Sequence, residues 1–187
     1  MTTMSRATGR DGSRGSAWMM AGFGLLWWLA GTGGLSAGVS PVLMGLGAVA
    51  AVVLFVASAR RLNRTGEQEM FQRTGRVFML VNLGQVAGIF VVVAVANLLD
   101  AQTWIPPMIT VVVGIHFLPL AKAFGMPEFR WIAWIFVAVA VLGACLAAIG
   151  LPLPVTLGTV GIACALVLWG YVGWLLRIGP ATAAGDR

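Results

Sequence analysis

The sequence predicts an all-α, polytopic membrane protein, built as a bundle of six transmembrane helices. Hydrophobic residues make up 59% of its 187 residues and charged residues only 10%, whereas about a quarter of the residues of a soluble domain are charged. The apolar residues form six stretches, each close to the about 20 residues that a helix needs to cross a bilayer. All twelve Lys and Arg residues lie in segments that would face one side of the membrane.

The chain divides into one membrane domain, residues 17–177, and two polar tails. Residues 1–16 are rich in Gly, Ser and Arg and lack the material for a packed core, so we expect a disordered cytoplasmic tail. A second cytoplasmic tail covers residues 178–187. Thr65 and Gln68 fit a capping box, which predicts that the third helix begins near residue 66, ahead of its membrane part. The predicted spans are residues 17–35, 39–59, 77–99, 104–124, 131–149 and 155–176.

The placement of Lys and Arg predicts the orientation, because cytoplasmic loops carry an excess of these residues. Six spans put every basic residue on one side, whereas losing one span would divide them between both faces. Both termini are therefore predicted in the cytoplasm. The loop between spans two and three carries the largest group, which would determine topology and contact anionic lipid headgroups. This group is Arg60, Arg61, Arg64, Arg73 and Arg76.

The first span has a second interpretation as a cleaved signal peptide. A basic leader precedes it, and Ser36 and Gly38 would suit a cleavage site. Its apolar stretch is long for the core of a signal peptide, which favours a retained helix.

Spans two, four and six form a weak internal repeat. Each opens near a proline, at Pro41, Pro106 and Pro154, with a glycine a few residues later. The pattern suggests three helical hairpins in the same orientation. The alternative is that proline favours the first turn of any helix.

Few polar side chains enter the predicted spans. No Asp, Glu, Lys or Arg lies in the middle of a span, and this disfavours a carboxylate-driven antiporter, which needs such a group. Asn82 and Gln85 share one face of span three. Asn82 and His116 lie at a depth of roughly 8–12 Å, and Gln85 at about 13 Å. Spans three and four are joined by a short turn, so we expect the three side chains to meet in one layer.

Pro119 follows His116 by three residues, and its missing N–H frees the carbonyl of Ile115. A freed carbonyl beside a histidine predicts a polar pocket, since irregular backbone at membrane depth must be buried or line a cavity. The structural alternative is hydrogen bonding between helices. A single histidine does not make a zinc site, and we predict no metal or cofactor. Cys145 and Cys164 are expected to be small buried hydrophobes.

Small residues four positions apart predict close helix packing. Gly84 and Gly88 form such a pair in span three, and Gly143 and Ala147 form one in span five. Small residues allow helix backbones to approach closely. We expect packing within the bundle, and a homo-oligomer contact is the alternative.

The segment Gly114–Ala121, with the sequence GIHFLPLA, resembles a segment of small, uncharacterised bacterial integral membrane proteins of about this length. The resemblance implies a multi-pass protein of the bacterial cytoplasmic membrane. It implies no catalytic residue.

These features favour a small-solute permease or channel-like facilitator, with a weakly polar pocket open to the cytoplasm and made pH-sensitive by His116. The alternative is a non-catalytic scaffold or accessory subunit that acts through the arginine-rich loop and the glycine pairs. An intramembrane enzyme ranks last, because the acid–base groups are few. The net charge of +6 does not indicate nucleic-acid binding, since no soluble module carries it. The lipid bilayer is the expected partner.

Overall fold

The computed structural model of the protein describes residues 13–36, 38–62 and 67–178. These residues form helices and connecting turns, with no strand among them. A short 3-10 turn, Gln102–Trp104, precedes the fourth helix. The six α-helices are α1 (Ser13–Gly33), α2 (Ser40–Arg61), α3 (Glu67–Leu98), α4 (Ile105–Phe124), α5 (Glu128–Ala148) and α6 (Leu153–Ile178).

The helices follow the predicted spans, with longer ends where polar residues continue a helix. Helix α1 begins at Ser13, inside the segment predicted as a disordered tail. Helix α3 begins at Glu67, well before the predicted membrane entry at Val77. The rest of the first tail, Thr65 of the predicted capping box and residues 179–187 lie outside the described residues.

Local chemistry accounts for the turns between α3, α4 and α5. The turn after α3 contains Asp100, which has a left-handed φ of 51°, a conformation that Asp adopts more readily than most residues. Helix α4 opens with proline in its first turn, where the missing N–H costs no hydrogen bond. It ends at Gly125 with φ of 64°, and the next amide, that of Met126, donates to the carbonyl of Ala121. This closes the helix as glycine caps do.

Ring contacts show that consecutive helices alternate in direction. The rings of Phe78, near the start of α3, and Phe124, at the end of α4, lie 6.0 Å apart. Phe129, at the start of α5, lies 5.8 Å from Tyr171, near the end of α6. The hydroxyl of Tyr171 is hydrogen-bonded to Ser16 in the first turns of α1. The starts of α1, α3 and α5 therefore lie beside the ends of α2, α4 and α6.

We call this end of the bundle the arginine end and the opposite end the far end. Antiparallel packing brings to the arginine end all the Lys and Arg residues within the described helices, whatever their separation in sequence. They are Arg14, Arg60, Arg61, Arg73, Arg76, Lys122, Arg130 and Arg177.

The helices form an open arc in the order α3, α4, α5, α6, α1, α2. The most extensive contacts join α1 to α6 and α4 to α5. Helices α2 and α3 lie at the two ends of the arc, where α3 packs mainly against α4 and α2 mainly against α1. Ala96 is the one buried residue among the described side chains of α3, so most of the apolar surface of this helix faces outward.

Among the described helices, five are long and apolar enough to cross a membrane. Their composition supports a multi-pass membrane protein, as predicted. Helix α1 is not among these five, because the five glycines and three tryptophans among its 21 residues lower its mean hydropathy. The five segments are Ser40–Arg61, Thr74–Leu98, Gln102–Phe124, Glu128–Ala148 and Leu153–Ile178.

The far end is held by a glycine contact between α1 and α6 that the sequence analysis did not identify. A Cβ at Gly161 would lie 2.7 Å from the Cα of Gly31, closer than real Cβ atoms come to other atoms. Gly158 lies beside the same contact, and a Cβ at Gly31 would lie 3.2 Å from its carbonyl. The two backbones touch directly, which is a recurring mode of helix association in membranes. The spacing G-x-x-G at 158–161 was the signal in the sequence.

Two tryptophans join α1 to its neighbours through backbone carbonyls. The indole Nε1 of Trp28 donates to the carbonyl of Leu43 on α2 at 2.7 Å. That of Trp169 on α6 donates to the carbonyl of Ala21 at 3.2 Å. The two indole rings lie 5.3 Å apart. Buried indoles are usually satisfied in this way, and here they tie three helices together.

Candidate functional site

One cavity of about 70 Å³ lies inside the arc, between α1 on one side and α3 and α4 on the other. It extends from the arginine end, where Ser16 and Met126 lie, toward the middle of the bundle at Trp27 and Leu168. We call this cavity the His116 pocket. Its lining residues are Ser16, Met19, Met20, Phe23, Trp27, Phe78, Asn82, Gln85, Val113, His116, Phe117, Leu120, Phe124, Met126, Phe129 and Leu168.

The polar wall of the pocket consists of Asn82, Gln85 and His116, the three residues that the sequence places in one layer. All three are partly buried. Each belongs to α3 or α4, and the antiparallel contact between these helices brings them to the same level. A ligand-binding role for this layer stays a prediction, and so does the alternative role in helix packing alone. The hydrogen bonds of each side chain help to distinguish the two roles.

Asn82 is satisfied by its own helix. Its Nδ2 donates to the carbonyl of Phe78 at 2.7 Å, and Asn97 makes the same bond to Val93, also at 2.7 Å, on the exposed outer side of α3. The Oδ1 atom of Asn82 accepts no hydrogen bond from the described residues, and Asn82 lines the pocket. Asn82 and Asn97 therefore differ in their position relative to the pocket, not in their backbone bonding.

His116 makes one long contact with the neighbouring helix. Its Nδ1 lies 3.4 Å from the carbonyl oxygen of Val81, beyond the usual 2.7–3.2 Å of an N–H···O bond. A carbonyl only accepts, so this contact favours the neutral tautomer with the proton on Nδ1. The Nε2 atom is then an acceptor. No hydrogen bond between described side chains joins His116 to Asn82 or Gln85, so the three polar groups converge without satisfying one another.

The remaining walls are apolar and adaptable. Helix α1 supplies Met19, Met20, Phe23 and Trp27, and methionine side chains reshape easily around a ligand. Opposite them, the ring of Phe117 packs edge-on against His116, with centroids 5.7 Å apart. None of the lining residues carries a formal charge apart from what His116 would gain on protonation.

Pro119 lies inside α4, which continues as a helix through it. Pro119 and Ile115 are both exposed on the outer face of α4 and do not line the pocket. The pocket is therefore lined by His116 but by neither Ile115 nor Pro119, and the predicted link between the freed carbonyl of Ile115 and the polar layer stays a prediction.

The four predicted packing residues have different surroundings. A Cβ at Gly143 would overlap Val160 and lie 3.2 Å from Pro107, so α5 is close to both α4 and α6 there. Ala147, one turn later, is buried. A Cβ at Gly88 would lie 3.0 Å from the side chain of Val112 on α4. Gly84 is exposed, and a Cβ there would have no described atom within 4 Å. Packing inside this chain thus involves Gly88 and Gly143 directly, and Gly84 faces outward.

Both cysteines were expected to be buried, and only one is. Cys164 is fully buried on α6 and lies beside Thr110 of α4. Cys145 is exposed on the outer face of α5. Helix α5 contacts its neighbours along one face only, and Cys145 lies on the other.

The arginine group keeps the placement that its sequence position implies. Arg60 and Arg61 are exposed in the last turn of α2, and Arg76 is exposed near the start of α3. Arg73 belongs to the first turns of α3, and Arg64 lies outside the described residues. Contact with lipid headgroups stays a prediction for these residues.

The comparisons with known proteins add no functional information. No family model matches the chain, and neither a curated protein nor a solved structure matches it. What can be inferred about function comes from the helices and from the His116 pocket.

Proposed function

We propose that the protein is a six-span carrier of the bacterial cytoplasmic membrane, with both termini in the cytoplasm, which binds a small neutral solute in the His116 pocket. The observation that carries this proposal is the convergence of three polar side chains from two helices on one uncharged cavity. Their free acceptors and donors have no partner among themselves. A bound solute would supply those partners.

A sixth span at α1 is supported by its burial in the bundle. Ala17 and Ala21 are fully buried, and Met20 is nearly so. Helix α1 packs between α2 and α6, and Phe23 and Leu26 are its exposed large hydrophobic side chains. A helix that is shielded by its neighbours does not need the apolar surface that a lipid-facing helix needs.

The size and lining of the pocket restrict the solute. A cavity of about 150 Å³ in another protein holds benzene, so a cavity of about 70 Å³ suits a smaller molecule. An ion is disfavoured, because burying a charge without a partner is costly. A short neutral amide or polyol, with one or two hydrogen-bonding groups and an apolar part, matches the polar wall and the aromatic walls.

Packing at the far end favours a carrier over an open channel. The glycine contact between α1 and α6 and the contact of Gly143 with Val160 fill the bundle beyond the pocket. A solute bound at His116 would reach the arginine end, and passage to the other side would require these contacts to separate. Helix α3, which packs mainly against α4, is the element that most easily moves to admit the solute.

The proposal is tested by solute entry into liposomes that contain the full-length protein, followed by stopped-flow light scattering with acetamide, propionamide and glycerol. We expect Gln85→Leu and Asn82→Leu to lower the protein-dependent rate about tenfold, the effect of losing one buried hydrogen bond. Asn97→Leu is the matched control, because it removes the same intrahelical bond outside the pocket.

Three results would contradict the proposal. The first is the absence of protein-dependent entry for every solute. The second is an equal loss of rate in Asn97→Leu and Asn82→Leu. The third is an unchanged rate in both Asn82→Leu and Gln85→Leu. Helix content measured by circular dichroism distinguishes a lost pocket from a lost fold.

A second candidate is a scaffold or accessory subunit, and the exposed apolar faces of α2 and α3 favour it. Leu83 and Phe90 on α3 are 63% and 71% exposed, and Gly84 lies between them on an open surface. A partner helix would cover this face, and the arginines at the ends of α2 and α3 would flank it. Co-purification of a partner that is lost in Gly84→Leu, with solute entry absent in every variant, would favour this function.

A further inference from the structure

A second cavity, separate from the His116 pocket, opens on the outer surface of α5 and α6 at the arginine end. It has a volume of about 370 Å³, and Glu128, Trp131, Tyr171 and Trp174 are among its lining residues. Gly170 also lines it, and no atom lies within 4 Å of a Cβ built there. The missing side chain at Gly170 leaves room between the helices. We call this cavity the α5–α6 groove.

Glu128 lines this groove, and one oxygen of its carboxylate is unsatisfied. The Oε2 atom is buried and has no hydrogen-bond partner among the described residues. A buried carboxylate oxygen without a donor is costly, and the position of Glu128 in the first turn of α5 offsets only part of that cost through the helix dipole. A cationic hydrogen-bond donor bound in the groove would offset the rest of this cost.

The aromatic residues of the groove complete a site for such a cation. Tyr171 and Trp174 lie with ring centroids 5.9 Å apart and an angle of 30° between the rings. Trp131 is 71% exposed and Trp174 42% exposed, so their rings are accessible from the membrane interface. Alkylammonium groups bind to the faces of such rings and are held more tightly when a carboxylate is nearby.

A basic residue lies where the anionic part of the same ligand would be. Arg177 follows Trp174 by three residues and therefore shares its face of α6. It is exposed in the last turn of the helix. From the middle of the bundle toward the arginine end, the groove presents apolar side chains first. The carboxylate and the aromatic rings come next, and the guanidinium of Arg177 comes last. This order matches the acyl chains, the ammonium and the phosphate of a zwitterionic lipid.

We propose that the α5–α6 groove binds a phospholipid with a primary ammonium headgroup, phosphatidylethanolamine, at the membrane interface of the arginine end. The ammonium donates hydrogen bonds to Glu128 and lies against Trp131 and Trp174. A choline headgroup carries the same charge but has no N–H to donate, so the buried oxygen selects ethanolamine. This site does not depend on solute transport through the His116 pocket.

Native mass spectrometry tests the proposal on full-length protein in nanodiscs that contain phosphatidylethanolamine, phosphatidylcholine and phosphatidylglycerol in equal amounts. We expect the wild-type protein to retain ethanolamine lipid in preference to choline lipid. Glu128→Gln should reduce this preference about tenfold, because a charge-assisted hydrogen bond is lost. Gly170→Leu should also abolish it by filling the groove, without changing any charge.

Two control variants isolate the groove. Asp100→Asn removes a carboxylate at the far end, and Asn tolerates the same backbone conformation. Gly173→Leu adds a side chain on α6 at a position that also has open space but does not line the groove. Both should keep the wild-type lipid preference.

Equal retention of choline and ethanolamine lipids by the wild-type protein would overturn the proposal. So would an ethanolamine preference that survives both Glu128→Gln and Gly170→Leu. If Glu128→Gln lowers thermal stability but leaves the lipid preference unchanged, Glu128 serves the helix start alone. Solute entry into liposomes, measured on the same variants, reports on the His116 pocket separately.

Discussion

The helices pack closely at one end of the bundle and are held apart at the other. At the far end, helices touch through glycines and small residues, with Gly31 against Gly161 and Gly143 against Val160. At the arginine end, the helices are held apart by bulky side chains such as Phe117, and a cavity remains between them. Small residues permit backbone contact, and bulky adaptable ones leave space that other shapes can fill.

This difference shows which end of the bundle is closely packed and which end has free volume. At the contact of Gly31 with Gly161 there is no free volume, so an added side-chain atom would displace a backbone. Side chains of the His116 pocket border free volume and can rearrange around a ligand. A carrier needs both properties, because the contacts at one end close the path while the other end binds, and those contacts then separate for the solute to pass.

The largest effect is expected from Gly161→Ala. A Cβ at this position would lie 2.7 Å from the backbone of α1 at Gly31, and overpacking of this kind costs about 2–3 kcal/mol of stability. Gly173→Ala, on the same helix but with open space around a Cβ, should raise stability by about 0.5–1 kcal/mol, because alanine loses less conformational entropy than glycine on folding. Unfolding in mixed micelles, followed by circular dichroism, measures both. Equal stability of the two variants would show that the far end is not closely packed.

Substitutions at two valines, one at each end, test the same difference in packing with a smaller expected change in stability. Val160 is fully buried against Gly143 at the far end, and Val113 lines the His116 pocket. Val160→Leu should lower stability by about 1–3 kcal/mol, as overpacked cores do. Val113→Leu places the same extra methylene into free volume, so its stability should change by less than about 0.5 kcal/mol, while solute entry falls. Similar losses of stability would contradict the difference between the ends.

The polar layer was predictable from sequence because polar residues are rare in these spans. Asn82, Gln85 and His116 stand out against apolar neighbours, and helical rise with antiparallel packing fixes their depth. The apolar walls were not predictable. Met20 in the pocket and Phe90 on the outer surface are equally apolar, because in a bilayer a lipid-facing side and a buried side have the same polarity.

The number of helices, their approximate ends and their alternating direction were predictable from the sequence. The rotation of each helix about its own axis was not. Length, charge and turn residues act along the helix axis and are read directly from the chain. Which side of a helix faces inward depends on packing between helices distant in sequence. Gly84 and Pro119 were thus placed in the correct helices but on sides that the structure shows to be outward. The contact of Gly31 with Gly161, between the first and last helices, was missed because its partners are far apart in the chain.

The smallest effect is expected from Pro119→Ala, which tests this rotation directly. The substitution restores an N–H that donates to the carbonyl of Ile115 on the exposed face of α4, so stability should rise by no more than about 1 kcal/mol. Since Pro119 does not line the His116 pocket, the rate of solute entry should stay at the wild-type value. A loss of rate as large as that of Gln85→Leu, with stability unchanged, would mean that the freed carbonyl belongs to the solute path. The side of α4 that carries Pro119 would then have to turn inward during transport.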